Sequence, residues 1–491
     1  MTGGAHRKLG VVSLALITYF NVSGGPWGSE PIVAACGPFV GIFATLVFPF
    51  IWCLPLALSF AELFSAFPTD SSFCTWVGKA FGRPMGFYVG YWSWVAGVID
   101  NAIYPCLMVD SVYAVLVGPD AGVKTFLVPL WMYIVRVFVA TAFMLPTIYS
   151  IDAVGRFLLL LGIAMIFPFI VLVFVSVPQV DTANWLVVRD EPEWSRLLSV
   201  LYWSYSGFDA AGAYASEIEH PRKTYPRAMM LTVFLVALTY SIPMLAASGV
   251  DKPHYELWAD GFYPIIAEQI AGRTLRSWFL VCAILGNLGV YIAKMTKNGF
   301  QLAGMADLGL APSYFIEYVL GLVHIVTNHI RTASNGVPRR AILLCYFIIA
   351  FMAMFDFNVI LGVDNFLSSL ACVTELCAVV RLRYKLPDLD RPYKVSLSDR
   401  GLFAMMVLPF CIGSFVMINE FAKSKLSMTL NLIALGCGLL YHRQLRQSPS
   451  YIYSPMAAKI QLELGAAATP MGVGTPTQTL LECTSPKPMY T

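Results

Sequence analysis

Ser23-Gly24-Gly25-Pro26-Trp27-Gly28 interrupts an apolar run that extends from about Leu9 to Phe43. A second run, from about Leu197 to Tyr214, is interrupted by Ser206-Gly207-Phe208-Asp209. Backbone inside a bilayer must satisfy its own hydrogen bonds, so non-helical stretches at membrane depth survive only where they line a cavity. Two such breaks, five helices apart, are the sequence pointer to the substrate site of an inverted-repeat secondary transporter.

Composition agrees with a membrane-embedded chain. Of 491 residues, 58% are hydrophobic and 12% charged, and the mean hydropathy is +0.68. Soluble domains carry about a quarter charged residues, so a polytopic membrane protein is expected. The net charge of +3 is no footprint for nucleic acid, because the basic residues are spread over short loops. Cysteines are scattered singly and no Cys/His spacing suggests a metal. His6, His220, His254, His324, His329 and His442 fall in loops or tails, which leaves an intramembrane enzyme without its metal set or its base. No catalytic residue, metal ligand or cofactor is therefore expected. The first apolar run lacks a small-residue cleavage site, so no cleavable signal peptide is expected. The acceptor Asn21-Val22-Ser23 lies inside a span and is not expected to be glycosylated.

A window of about 20 residues per span gives twelve segments: 9–35, 38–64, 83–117, 124–145, 155–178, 197–217, 226–248, 275–301, 339–356, 358–381, 401–420 and 427–445. The fold class is thus all-α and polytopic, with helices 1 and 6 discontinuous. Residues 1–8 form a cytoplasmic N-terminus, 9–445 the transporter domain, and 446–491 a Pro-, Thr-, Ser- and Gly-rich tail expected to be disordered. Arg222, Lys223, Arg227, Arg339, Arg340, Arg381, Arg383 and Lys385 put the basic excess on one side, so both termini are expected in the cytoplasm. Segment 253–272 is amphipathic, lies outside and is a candidate cap for the vestibule.

The breaks supply the candidate site. Gly24, Gly25 and Gly28 let backbone leave the helix and approach a ligand, while Ser23 and Trp27 flank them. Freed N–H groups at the second half-helix make a positive cup for an anion. Pro26 removes one donor, and Glu30 adds negative charge a turn later. Glu30 is either a binding group or a cap on its own half-helix. In the second break, Asp209 can pair with a substrate ammonium, with Trp203, Tyr205 and Phe208 as cation–π faces and Ser206-Gly207 as open backbone. The alternative is that Asp209 hydrogen-bonds unwound backbone. Asp100 and Asn101 lie near the centre of the third span, with Tyr104 one turn on. Asp100 is either a second cation anchor or proton carrier, or a helix–helix hydrogen-bonding group. Lys294 and Lys297 in the eighth span are read first as snorkelling toward the cytoplasm, with Lys294 alternatively replacing a coupling cation. Glu62 is read as structural, and Glu217 and Glu219 as partners of Arg222 and Lys223. The coupling candidates are Asp100, Asp209 and Lys294.

These residues resemble the amino acid–polyamine–organocation superfamily of permeases, and within it the eukaryotic polyamine-uptake branch, relatives of the L-type amino-acid carriers. The resemblance spans about 9–445. It rests on Tyr19 through Glu30, Phe48-Pro49-Phe50-Ile51-Trp52, Ala61-Glu62-Leu63, Gly97 through Pro105, Asp209 through Pro226, Phe300 through Ala306, Arg381-Leu382-Arg383 and Arg391-Pro392-Tyr393-Lys394. It implies a 5+5 inverted repeat (repeat one 9–178, repeat two 197–381) with helices 11 and 12 over 401–445. It also implies alternating access around helices 1 and 6, with inward proton coupling. Glu30, Asp100 and Asp209 match acidic positions of the polyamine branch. Lys294 and Asn298 depart from the acidic residues expected in helix eight and point instead to a neutral or anionic amino acid.

The expected function is import of polyamines such as putrescine, spermidine and cadaverine across the plasma membrane, coupled to protons. The alternative is an amino-acid permease of the same superfamily, and a substrate-binding sensor is a further class. Residues 118–124, between helices three and four, hold no cysteine, so no disulfide-linked heavy chain is expected.

Overall fold

A computed structural model describes residues 9–68, 72–117, 127–149, 161, 165, 167–252, 254–312 and 338–447. The expected tail beyond residue 447, most of the first half of the fifth span and the loop at 118–124 fall outside these residues. The described chain is helical: no β-strand occurs among them, only isolated bridges pairing Leu9 with Ile218 and Leu127 with Phe355. Among the described residues, seven helices are long and apolar enough to cross a bilayer, and Val11–Val22 and Phe167–Gln179 are shorter apolar helices.

The first apolar run folds as two half-helices, α1 (Val11–Val22) and α2 (Glu30–Cys36), with the glycine segment between them. Gly37 then turns the chain into α3 (Pro38–Phe48). A π-helical turn over Pro49–Cys53 joins α3 to α4 (Leu54–Ala66). Pro49 and Pro55 bring no N–H to this stretch, which loosens the regular ladder. The short helix α5 (Ser72–Phe81) leads into α6 (Arg83–Asn101) and α7 (Ile103–Val117).

The third span was expected to be continuous, yet it pauses at Ala102, whose N–H bonds Ile99 O at 3.0 Å. Pro105 explains the pause, because it cannot donate to the carbonyl of Asn101 four residues back. The irregularity falls one residue after Asp100-Asn101, so it shapes the site rather than merely bending a long helix.

Then follow α8 (Leu130–Tyr149), α9 (Phe167–Gln179) and α10 (Trp194–Ser204). The sixth span breaks after Ser204 and resumes not as α-helix but as a 3₁₀ segment, Phe208–Glu217. The remaining elements are α11 (Pro221–Val250), α12 (Tyr263–Ala271), α13 (Arg273–Asp307), α14 (Arg339–Met352), α15 (Phe357–Lys385), α16 (Asp399–Lys423) and α17 (Lys425–Leu445). Among these, α15 packs on α6 and α16, and α13 on α6, α7 and α1. The buried centre of the bundle is therefore framed by the two broken spans together with α6, α13 and α15.

Candidate substrate cavity

The two breaks meet directly. Gly207 has φ 109°, and a Cβ there would lie 2.8 Å from the carbonyl oxygen of Asn21. Only glycine accepts both the left-handed backbone and the approach. Gly28 repeats the logic on the other side: its φ is 81° and a Cβ would press 2.8 Å from the Trp203 ring. In the first break Ser23 serves as local cap, since its Oγ donates to Gly25 O at 3.1 Å and accepts from Gly25 N at 3.3 Å.

Between these breaks and helices α6, α13 and α15 lies a cavity of about 90 Å³. Asn21, Trp52, Ser93, Trp203, Phe208 and Ser206 form part of its wall, and its charged lining is Asp100, Asp209, Asp364, Glu375, Lys294 and Lys297. Asp100 is the best-connected of these. Its carboxylate forms an ion pair with Lys294 and accepts from the Trp203 indole N–H at 2.8 Å. The Tyr104 hydroxyl reaches it at 3.4 Å, and the Lys294 ammonium stands 5.1 Å over the Tyr104 ring. Asp209 accepts from Ser93 Oγ at 3.4 Å and faces Lys297 Nζ at 3.9 Å. Neither lysine snorkels away: both are held inside, each opposite one of the acids. On α13 they sit three residues apart and so share a face.

Trp203 also walls a second, smaller void of about 10 Å³ with Ser23, Gly24, Gly25, Trp27 and Tyr104. The glycine cup of the first break thus opens to this chamber, and Trp203 stands between it and the main cavity. Trp27 packs against Phe169, Tyr263 and Phe279, which closes this end of the bundle with aromatic rings.

Three expected site residues lie elsewhere than expected. Glu30 lines neither void; it is fully buried and its Oε1 accepts from the backbone N–H of Tyr263 at 3.1 Å. It therefore caps α12, within the amphipathic 253–272 segment, rather than its own half-helix. Tyr205 turns from the cavity and donates to Thr45 O at 2.9 Å. Gly28 supports Trp203 from behind. Asn298, by contrast, is a lining residue whose Nδ2 donates to Gly97 O at 2.7 Å.

Sequence reading missed Asp364 and Glu375. The signal was available: two carboxylates eleven residues apart within one apolar span, which places them on a single helical face.

Outside the cavity, charges are matched tightly. Glu62 binds Arg383 at 2.5 Å and Arg391 at 3.0 Å, and accepts from Val395 N at 2.9 Å. Arg136 pairs with Asp110 at 2.8 Å and donates to Phe355 O at 2.8 Å, tying α8 to α7 and the end of α14. Asp260, in the loop before α12, is half-buried, and loss of water around its carboxyl pushes its pKa up to about 7.

A charged cavity between two broken helices, inside a bundle of apolar spans, defines an integral membrane transport protein of the permease class. The chain belongs to the amino acid permease family, whose model matches residues 9–439, and so to the amino acid–polyamine–organocation superfamily that its motifs resemble. Polyamine transporter RMV1 of Arabidopsis thaliana is 32% identical over 445 residues, covering 90% of this chain and 86% of that protein. A probable polyamine transporter of the same plant is 31% identical over 439 residues, 89% of this chain and 83% of the relative. Polyamine transporter PUT1 of Oryza sativa subsp. japonica is 31% identical over 432 residues, 88% and 77% respectively.

Proposed function

We propose that this permease carries linear polyamines, such as putrescine, spermidine and cadaverine, by alternating access around the two breaks. The observation that supports it most is the setting of Asp100, whose carboxylate holds the primary ammonium of Lys294 beside the Trp203 indole and the Tyr104 ring. A cavity that houses a primary ammonium in this way has the chemistry to house that of a substrate. The lysines do not set it against cations, because each faces a carboxylate and two acids, Asp364 and Glu375, are left over. The names of the plant relatives point the same way.

The twelve spans arranged as a 5+5 inverted repeat, with both termini in the cytoplasm, belong to this reading. The matched breaks after α1 and α10 support it. Proton coupling through Asp100 and Asp209 belongs to it as well, and so does the plasma membrane as its location. An amino-acid permease is the second reading, favoured by the backbone cup at Ser23-Gly24-Gly25, which could receive a carboxylate.

Radiolabelled putrescine uptake in cells lacking their own polyamine carrier tests the choice, with unlabelled spermidine, arginine and leucine as competitors. Saturable uptake blocked by spermidine alone supports the polyamine reading. No putrescine uptake by protein present at the surface favours the amino-acid one. Collapse of uptake by a protonophore, with indifference to sodium, is the expected coupling result; uptake that tracks sodium and ignores the protonophore would end that part of the proposal.

A further inference from the structure

Trp203 lies between two voids of very different size, the charged cavity of about 90 Å³ and the chamber of about 10 Å³ at the glycine cup. Three neighbours hold its ring there. The indole N–H donates to Asp100 at 2.8 Å, and the Phe357 ring meets it edge-on with centroids 5.9 Å apart. Gly28 packs on the ring so closely that a Cβ there would come within 2.8 Å of it, and a larger residue would push the indole out of place.

The chamber has the chemistry of an acceptor site and the size of a single water. Two of the residues that line it, Trp27 and Asn287, carry buried side-chain nitrogens, Nε1 and Nδ2, without a hydrogen-bond partner among the described residues. Trp27 is 4% and Asn287 2% exposed, so bulk water does not serve them. Gly25 admits the Trp27 indole, since a Cβ there would lie 2.6 Å from Nε1. Both nitrogens are N–H donors, so what the chamber lacks is an acceptor atom. Its volume is about the room that one water needs, and a carboxylate is larger.

We propose that Trp203 is the residue that bars carboxylates: its ring closes the cup of the first break, where one water serves the Trp27 and Asn287 donors, and restricts the permease to amines that carry no carboxylate. This rests on the polyamine reading above and deepens it. An amino acid whose ammonium reaches the cavity keeps its carboxylate on the wrong side of the indole. There it is cut off from the cup's donors and faces a lining of four acids and two lysines. An anion desolvated without its donors costs binding. Trp203 thus has two separable roles, since the N–H positions Asp100 and the ring excludes.

The test uses pairs of compounds that differ by one carboxylate, lysine against cadaverine and arginine against agmatine, as competitors of labelled putrescine uptake. The quantity read is the ratio of half-inhibitory concentrations, amino acid over amine. It does not depend on how much protein reaches the surface, and loss of the hydrogen bond to Asp100 acts on both members of a pair. The unaltered protein should give a ratio of about a hundredfold or more. Trp203→Leu joins the cup to the cavity and should lower the ratio about tenfold by admitting the carboxylate to its donors. Lysinamide, which has the bulk of lysine without its negative charge, should gain nothing on cadaverine. Asn287→Ala removes a cup donor behind an intact Trp203 and should leave the ratio where it is, a result that stands even if Trp203→Leu does not fold. The proposal is overturned by a ratio near unity in the unaltered protein, by a Trp203→Leu protein that keeps the original ratio, by equal gains for lysine and lysinamide, or by a rise in the ratio with Asn287→Ala. A protein that neither takes up putrescine nor responds to any amine fails the polyamine reading instead, and the two failures are therefore distinct.

Discussion

Two buried ion clusters in this molecule use the same chemistry to different ends. Around Glu62 the carboxylate is fully engaged: Arg383, Arg391 and the Val395 N–H converge on it, and it lines neither of the two voids described above. Around Asp100 an equally intimate pair, with Lys294, stands at the edge of open space with two unmatched acids across from it. Saturation marks the first cluster as a clasp that fixes α4 to the end of α15. Incompleteness suits the second to the receptor role proposed for it. A charge buried in a membrane protein is therefore best judged by what its neighbourhood still lacks.

Substitution of the two carboxylates should separate these roles. Glu62→Gln leaves two guanidinium groups facing one another and should cost about 3–5 kcal/mol of stability, seen as a large fall in the thermal midpoint of purified protein. Uptake per surface molecule should change little; a selective loss of transport would move Glu62 into the receptor class. Asp100→Asn should do the converse. Uptake efficiency falls by about a hundredfold with a smaller drop in midpoint, and unchanged uptake would make the Asp100–Lys294 pair a second clasp.

Asp209 lies between these cases, held by a single hydroxyl and a lysine 3.9 Å away. Asp209→Asn should raise KM for cationic substrates by about tenfold, far more than Glu217→Gln does. Equal effects would show that Asp209 only supports the backbone. Gly207→Ala should cost about 1–2 kcal/mol from its left-handed backbone alone and slow turnover more than it weakens binding, measured as a kcat-against-KM split.

The smallest effect concerns pH. Asp260 binds its proton more tightly when folded than the ordinary carboxyl does, with a folded value of about 7. Between about pH 4 and 7 the folded state therefore holds more protons than the unfolded one, and stability falls as pH rises through that window. Asp260→Asn should flatten this slope in amide-exchange protection of α12; an unchanged slope would assign it to another group.

What could be read from the sequence follows from how local each cause is. The breaks were legible because glycine and proline act on their own backbone, and Asp100 and Asp209 because a lone acid in an apolar run stands out. The 3₁₀ character of Phe208–Glu217 was not legible, since propensity does not separate it from a short α-helix. Lys294 and Lys297 were read as snorkelling, because their direction depends on an acid 194 residues away in sequence for one of them. The partner of Glu30, the Tyr263 N–H, lies 233 residues away in sequence, which no local pattern around the first break reveals. Asp364 and Glu375 were not legible as site residues because no backbone break marks α15, although their spacing alone puts them on one face.

The joint between the broken spans is made of main chain, where Gly207 lies against the carbonyl of Asn21. The residues that give the cavity its charge sit instead on α6, α13, α15 and the first turn of the 3₁₀ segment. On the proposed reading, cargo preference and mechanical competence are thus written in separate places. Exchanges at positions 294, 364 or 375 could retune which charges the carrier accepts while the joint keeps its shape. For a designer, the fold is a chassis whose freight hold can be refitted without opening the hinge.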